Sequence, residues 1–166
     1  MIPPTRPRTA ARVGAVQALF QSEQGGETVE TVIDQFVRHR LGRDTGGLDP
    51  DAQGFEEGRV PDADVRLFRE VVRTASVEQD RLDALIAEAL PPEWPFTRLD
   101  PVLRAVLRAA AAELVLPDGP PARVVINEYL DVAHGFFDGD EPRMVNGLLN
   151  RLARDLRAAE FAASPE

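Results

Sequence analysis

The 166-residue chain contains no cysteine, which excludes disulfides, thiolate metal centres and thiol nucleophiles together. It has no lysine either, so all 19 basic residues are arginines. Heavy use of Ala, Gly and Pro alongside Arg is the mark of a GC-rich genome, and it lowers the weight of any one arginine as a phosphate contact. No stretch approaches 18 uninterrupted apolar residues, and the start M-I-P-P-T-R-P-R has no apolar leader core. A soluble, cytoplasmic protein without membrane contact is expected.

Catalytic signatures are also missing. There is no Gly-rich phosphate loop and no G-x-S-x-G elbow. His39 and His134 are far apart, and neither has a second ligand at metal spacing. Asp49-Pro50-Asp51-Ala52-Gln53-Gly54 imitates the first half of a calcium loop. The bidentate acid required at its twelfth position is replaced by Val60, so that coordination shell cannot close. A non-enzyme with no catalytic residue, cofactor or metal ligand is expected.

What is present is an uneven charge. Against the 19 arginines stand 28 acidic residues, for a net charge of −9, which argues against a protein coated in nucleic acid. Yet Arg6, Arg8 and Arg12 meet no acid until Glu23, while acids crowd residues 44–64. The chain has a basic start and an acidic waist.

Helical periodicity dominates and no strand-like alternation persists. Helices are expected at about 9–24, 27–41, 62–75, 77–90, 101–116, 121–137 and from 141 onward. Gly25-Gly26 and Pro91-Pro92 act as stops. Asp100-Pro101 reads as a start, with a capping acid before a proline at the first helical position. Asp140 is expected to cap the last helix in the same way. Seven helices with short links predict an all-α bundle. It forms one domain over 1–166, built from two closely packed helical subdomains at about 8–75 and 77–160. The stripe-free stretch 42–60 reads as an exposed acidic loop.

Several polar residues exceed what periodicity requires. Arg8 and Arg12 lie one turn apart with Arg6 in the lead-in, so together they can fork successive phosphates. Asn127 and Asn146 are expected to hydrogen-bond at helix ends or between helices. Gly147 inside a helix costs about 1 kcal/mol relative to Ala, and close helix approach is the expected reason. Phe136, Phe137 and Met144 surround the acidic turn 138–141, where apolar groups can stack on unpaired bases. For either phenylalanine taken singly, burial in the bundle is favoured.

The blocks V-V-I-N-E at 124–128 and F-D-G-D-E-P-R-M-V-N-G-L-L-N-R-L-A at 137–153 resemble the C-terminal signature of the NusB family of bacterial transcription antitermination factors. A-A-R-V-G-A-V-Q-A-L-F-Q at 10–21 is similar to that family's first helix, and R-A-V-L-R-A-A-A-A-E-L at 104–114 to a central one. The resemblance implies a seven-helix NusB-like fold and a non-catalytic, RNA-binding role in transcription regulation. Such proteins bind single-stranded boxA-type rRNA leader RNA with the ribosomal protein NusE, within an RNA polymerase antitermination complex. The implied RNA surface joins Arg6, Arg8 and Arg12 to Asp140, Arg143 and Met144. The implied NusE surface lies around 90–108, and a homodimer is one assembly the resemblance allows.

This sequence also departs from the family pattern. Thr9, Ala10 and Ala11 interrupt the basic start; Phe20 stands where Tyr is common and Met144 where Phe is common; Leu103 occupies an often acidic place. These departures predict weak RNA binding by the protein alone. The alternative is a helical protein–protein adaptor without direct RNA binding. An rRNA methyltransferase, the third reading, would need a cofactor fold and a nucleophilic cysteine.

Overall fold

A computed structural model describes residues 7–39, 41 and 62–162. Arg6 and the 42–60 loop lie outside the described residues. Eight α-helices and one 3-10 turn are present among the described residues, with no strand. The all-α expectation is met, with an eighth helix beyond the seven expected. The helices are α1 (Pro7–Gly25), α2 (Val29–His39), α3 (Asp62–Val77), α4 (Gln79–Ala89), α5 (Pro101–Leu114), α6 (Ala122–Phe136), α7 (Glu141–Leu156) and α8 (Ala158–Ala162). Contacts divide the chain into two compact units, residues 1–73 and 74–166, and the division falls within α3.

In the first unit, α1 ends where Gly26 takes a left-handed backbone at φ 72° and donates its N–H to Ser22 O at 3.0 Å. Thr28 caps α2, its Oγ1 accepting the Thr31 N–H at 3.2 Å. The turn between them is tied by side chains: Gln21 donates to Glu27 and Gln35, and Gln35 donates back to Glu27. Phe36 of α2 and Phe68 of α3 stack with centroids 5.6 Å apart. A Cβ on Gly14 would come within 3.2 Å of Leu41 Cδ2 and 3.5 Å of Phe68, so this glycine permits close packing. Arg73 forks the Glu30 carboxylate with two bonds of 2.8 Å. That hydrogen bond holds the carboxyl below its ordinary range and raises the Arg73 guanidinium. Both partners are exposed, so the pair adds little stability.

In the second unit, α3 and α4 meet at a one-residue break at Glu78, two residues later than the break expected near Ser76. Backbone bonds Glu78 N–H to Thr74 O and Leu82 N–H to Glu78 O bridge it, which is why the period hardly falters. Asp100 caps α5 as its sequence predicts, accepting from Val102 N at 2.7 Å and Leu103 N at 3.4 Å ahead of Pro101. Nearly every residue of α5 is buried, including the run Ala109–Ala112. A helix buried all round is the centre of its unit, and small residues let neighbours approach. Its one fully buried acid, Glu113, accepts the Tyr129 hydroxyl of α6 at 2.9 Å, as a buried polar group requires.

Arg108 of α5 forks Asp83 of α4 with two bonds of 2.8 Å, at side-chain exposures of 10% and 20%. The Arg104 and Arg108 guanidiniums sit 5.8 and 5.7 Å from the Phe96 ring, fastening the 3-10 turn Phe96–Arg98 to α5. The short α8 is held from outside itself. Arg157, just before it, donates to Leu114 O at 2.6 Å and Pro120 O at 3.0 Å, and pairs with Glu160. Glu160 accepts the Ala122 N–H at 2.9 Å, so it satisfies the first amide of α6, whose own N-cap Pro121 offers no side-chain acceptor.

Candidate nucleic-acid interface

The acidic turn between α6 and α7 brings three of the expected RNA-binding residues together. Asp140, Arg143 and Met144 line one cavity of about 610 Å³, with Trp94, Gly147 and Arg151 around it. All of these residues belong to the second unit. Pro142 in the first turn of α7 fixes the helix start, which sets Arg143 and Met144 on successive positions of that turn.

Asp140 stands at the N-cap position, but the capping bond expected of it is not made. Its backbone is already helical, at φ −84° and ψ −6°. A capping side chain folds over the first amides from an extended backbone, so this carboxylate is left at the exposed rim. Glu141 folds instead against Gly139, where a Cβ would lie only 2.9 Å from Glu141 Oε1. Arg143 is exposed, whereas Met144 is buried at 7% exposure and gives most of its surface to the core.

The basic start belongs to the first unit. Arg8 is exposed on α1, and Arg12 is buried at 3% exposure. Ala11, Ala15 and Ala18 are buried beside Val16 and Leu19, so α1 packs on a wider face than its large apolar residues mark, and Arg12 falls inside it. Arg6 lies outside the described residues.

Other expectations shift. Gly147 has nothing within 4 Å of a built Cβ, so close helix approach is not its reason; it faces open space in the cavity. Asn146 is not an inter-helix partner either: Asn150, one turn on in α7, donates to its carbonyl and side-chain oxygens at 2.9 and 3.0 Å. Asn127 and Asn146 do line a common cavity between α6 and α7. Phe136 is 40% exposed rather than buried, its ring 6.4 Å from that of Phe137. Within 90–108, Leu103 and Arg108 are buried, while Pro92, Glu93, Pro95, Thr97, Arg98 and Asp100 are exposed. Sequence reading placed Trp94 only within the implied partner stretch 90–108 and passed over Arg151; an i, i+4, i+8 reading of Arg143, Gly147 and Arg151 on one helix face could have found the second.

Among the described residues no group of three or more metal-ligating side chains occurs, and no helix is long and apolar enough to cross a membrane. His39 and His134 are both exposed.

Comparison with known proteins identifies relatives of the chain and of its fold. The chain is 66% identical over 158 residues to the transcription antitermination protein NusB of Granulibacter bethesdensis, across 95% of this chain and 94% of that protein. Among solved structures, T. maritima NusB superposes with a TM-score of 0.73 at 26% identity, covering 95% of this chain and 99% of that one. A chain from the structure of antitermination factors NusB and NusE in complex with dsRNA shares the fold, with a TM-score of 0.70 at 21% identity over 91% of this chain and 98% of that one. Residues 9–154 match the NusB family, and the chain belongs to that family.

Proposed function

We propose that this protein is a non-catalytic transcription antitermination factor that binds boxA-type single-stranded RNA of rRNA leaders together with NusE, in an RNA polymerase antitermination complex. The observation that carries the reading is the shared cavity at the start of α7, where exposed Arg143 and the uncapped Asp140 stand beside Met144. An arginine there can hold a phosphate through its fork, and a carboxylate can accept from an exocyclic base amine. Arg8 supplies a second phosphate contact on α1, with Arg6 in the lead-in. Arg12 supports the α1 contact and Met144 the α7 contact from within their own units, as their burial suits. Within 90–108, the exposed Pro95, Thr97, Arg98 and Asp100 form the NusE face on the family resemblance, while Glu93 and Trp94 line the cavity at the start of α7.

The test is affinity for a boxA-type RNA with and without NusE at fixed salt. Tighter binding with NusE is expected; equal binding overturns the reading. The net charge of −9 favours a second reading, an adaptor that binds protein only. Changing Arg8 and Arg143 to Glu separates the two, because an adaptor would retain both partner affinity and antitermination.

A further inference from the structure

Burial of Met144 leaves the cavity at the start of α7 without the stacking face expected of that position. Trp94 offers one. It lines the same cavity, is half-buried, and is the chain's only tryptophan. Its indole N–H has no hydrogen-bond partner among the described residues. A half-buried Trp that lines a cavity with an unused donor suits a flat, polar-edged ligand better than it suits the interior of a bundle.

In the same cavity, Arg143, Gly147 and Arg151 follow one another at i, i+4 and i+8 on α7. This spacing keeps all three on one face, over about 12 Å of helix. Both arginines are exposed, and among the described residues Arg151 makes only a long 3.4 Å bond to Ala89 O. Between them Gly147 has no side chain and nothing within 4 Å of where one would begin. The helix therefore presents a bare patch of backbone flanked by two exposed arginines, in the cavity that Trp94 also lines. Asp140 and Glu93 on the rim add carboxylate acceptors. A volume of about 610 Å³ lies within the usual range for a small-ligand site, about 300–1,000 Å³.

The geometry points to a nucleobase pocket. Trp94 stacks on one unpaired base of the bound single-stranded RNA, the base lies over Gly147, and Arg143 and Arg151 hold the flanking phosphates. Aromatic stacking with paired guanidiniums is the chemistry by which single strands are held. The inference rests on the RNA-binding reading above and adds its base-recognition site.

The test measures binding of a boxA-type RNA to the complex with NusE for the unaltered protein, Trp94→Ala, Trp94→Phe and Gly147→Leu. Alanine should weaken RNA binding about fivefold to a hundredfold, phenylalanine should restore most of it, and leucine, by filling the space, should weaken it too. Affinity for NusE alone should stay within about twofold, on the stacking argument. Replacing successive nucleotides by abasic ones should reveal one position at which Trp94→Ala no longer matters. Trp94 fluorescence, with the Trp94→Phe complex as blank, should be quenched by RNA. Full RNA affinity in both Trp94→Ala and Gly147→Leu overturns the pocket while leaving the RNA-binding reading intact. Loss of NusE affinity equal to the loss of RNA affinity also overturns it, and makes the cavity a protein contact. An RNA that fails to bind the unaltered protein with or without NusE overturns both.

Discussion

Glu160 accepts the backbone N–H of Ala122 across 38 positions of sequence, at 2.9 Å, while its other oxygen pairs with Arg157. The first amide of α6 and the guanidinium together hold this carboxyl below its ordinary range, the amide being the larger cause. A carboxyl whose folded pKa is depressed stabilises the fold above its unfolded value of 4.5 and loses that contribution as pH falls through the lower folded value. Glu160→Gln should therefore lower the unfolding midpoint at neutral pH. Its difference from the unaltered protein should shrink progressively below pH 4.5, which thermal unfolding across a pH series will read.

Salt dependence should follow the exposed arginines rather than all three at the start. Single-strand binding loses about 0.7 in log–log slope for each phosphate contact removed. Arg8→Gln with Arg143→Gln should flatten the slope by about 1.4, measured as RNA affinity with NusE from low to physiological salt. Arg12→Gln should act mainly through the unfolding midpoint, because that side chain is buried at 3% exposure.

Gly147→Ala should stabilise the protein. The site is an exposed helix interior with open space around a built Cβ, so only the propensity term operates. A gain of about 0.5–1 kcal/mol in urea unfolding is expected.

Asp83→Ala should do the opposite. It strands the Arg108 guanidinium at 10% side-chain exposure without its fork partner. Breaking one half of such a pair costs about 3 kcal/mol, more than the intact pair contributes. The double variant Asp83→Ala with Arg108→Met should recover part of that loss in the same urea experiment.

The helices were legible because their signals are local. Asp100 caps α5 from a position where acid and proline adjoin, and Gly26 ends α1 where a left-handed residue is needed. The reading faltered wherever distant residues decide. The five-residue α8 has too few turns for a period, and its anchors are Leu114 O, Pro120 O and Ala122 N far back in the chain. Asp140 was placed correctly at a helix start, but its backbone angles, invisible in sequence, deny it the capping bond. Arg12 was read as surface because alanines mark a packing face weakly, although they bury as fully as valine does. At the candidate site, the motif supplied Asp140, Arg143 and Met144. Trp94 comes from a segment with no period, and only folding brings it to the same cavity.

The Phe96 ring lies under two guanidiniums, those of Arg104 and Arg108, and Arg108 is itself locked to Asp83. The segment joining α4 to α5 is thus held from the helix side as well as by its own turn bonds, Trp94 N–H to Pro91 O, Arg98 N–H to Pro95 O and Leu99 N–H to Phe96 O. Any partner docking on that segment meets a contour whose conformational freedom was surrendered when the chain folded. Association there requires no induced ordering, so the entropy of binding should resemble that of two rigid bodies.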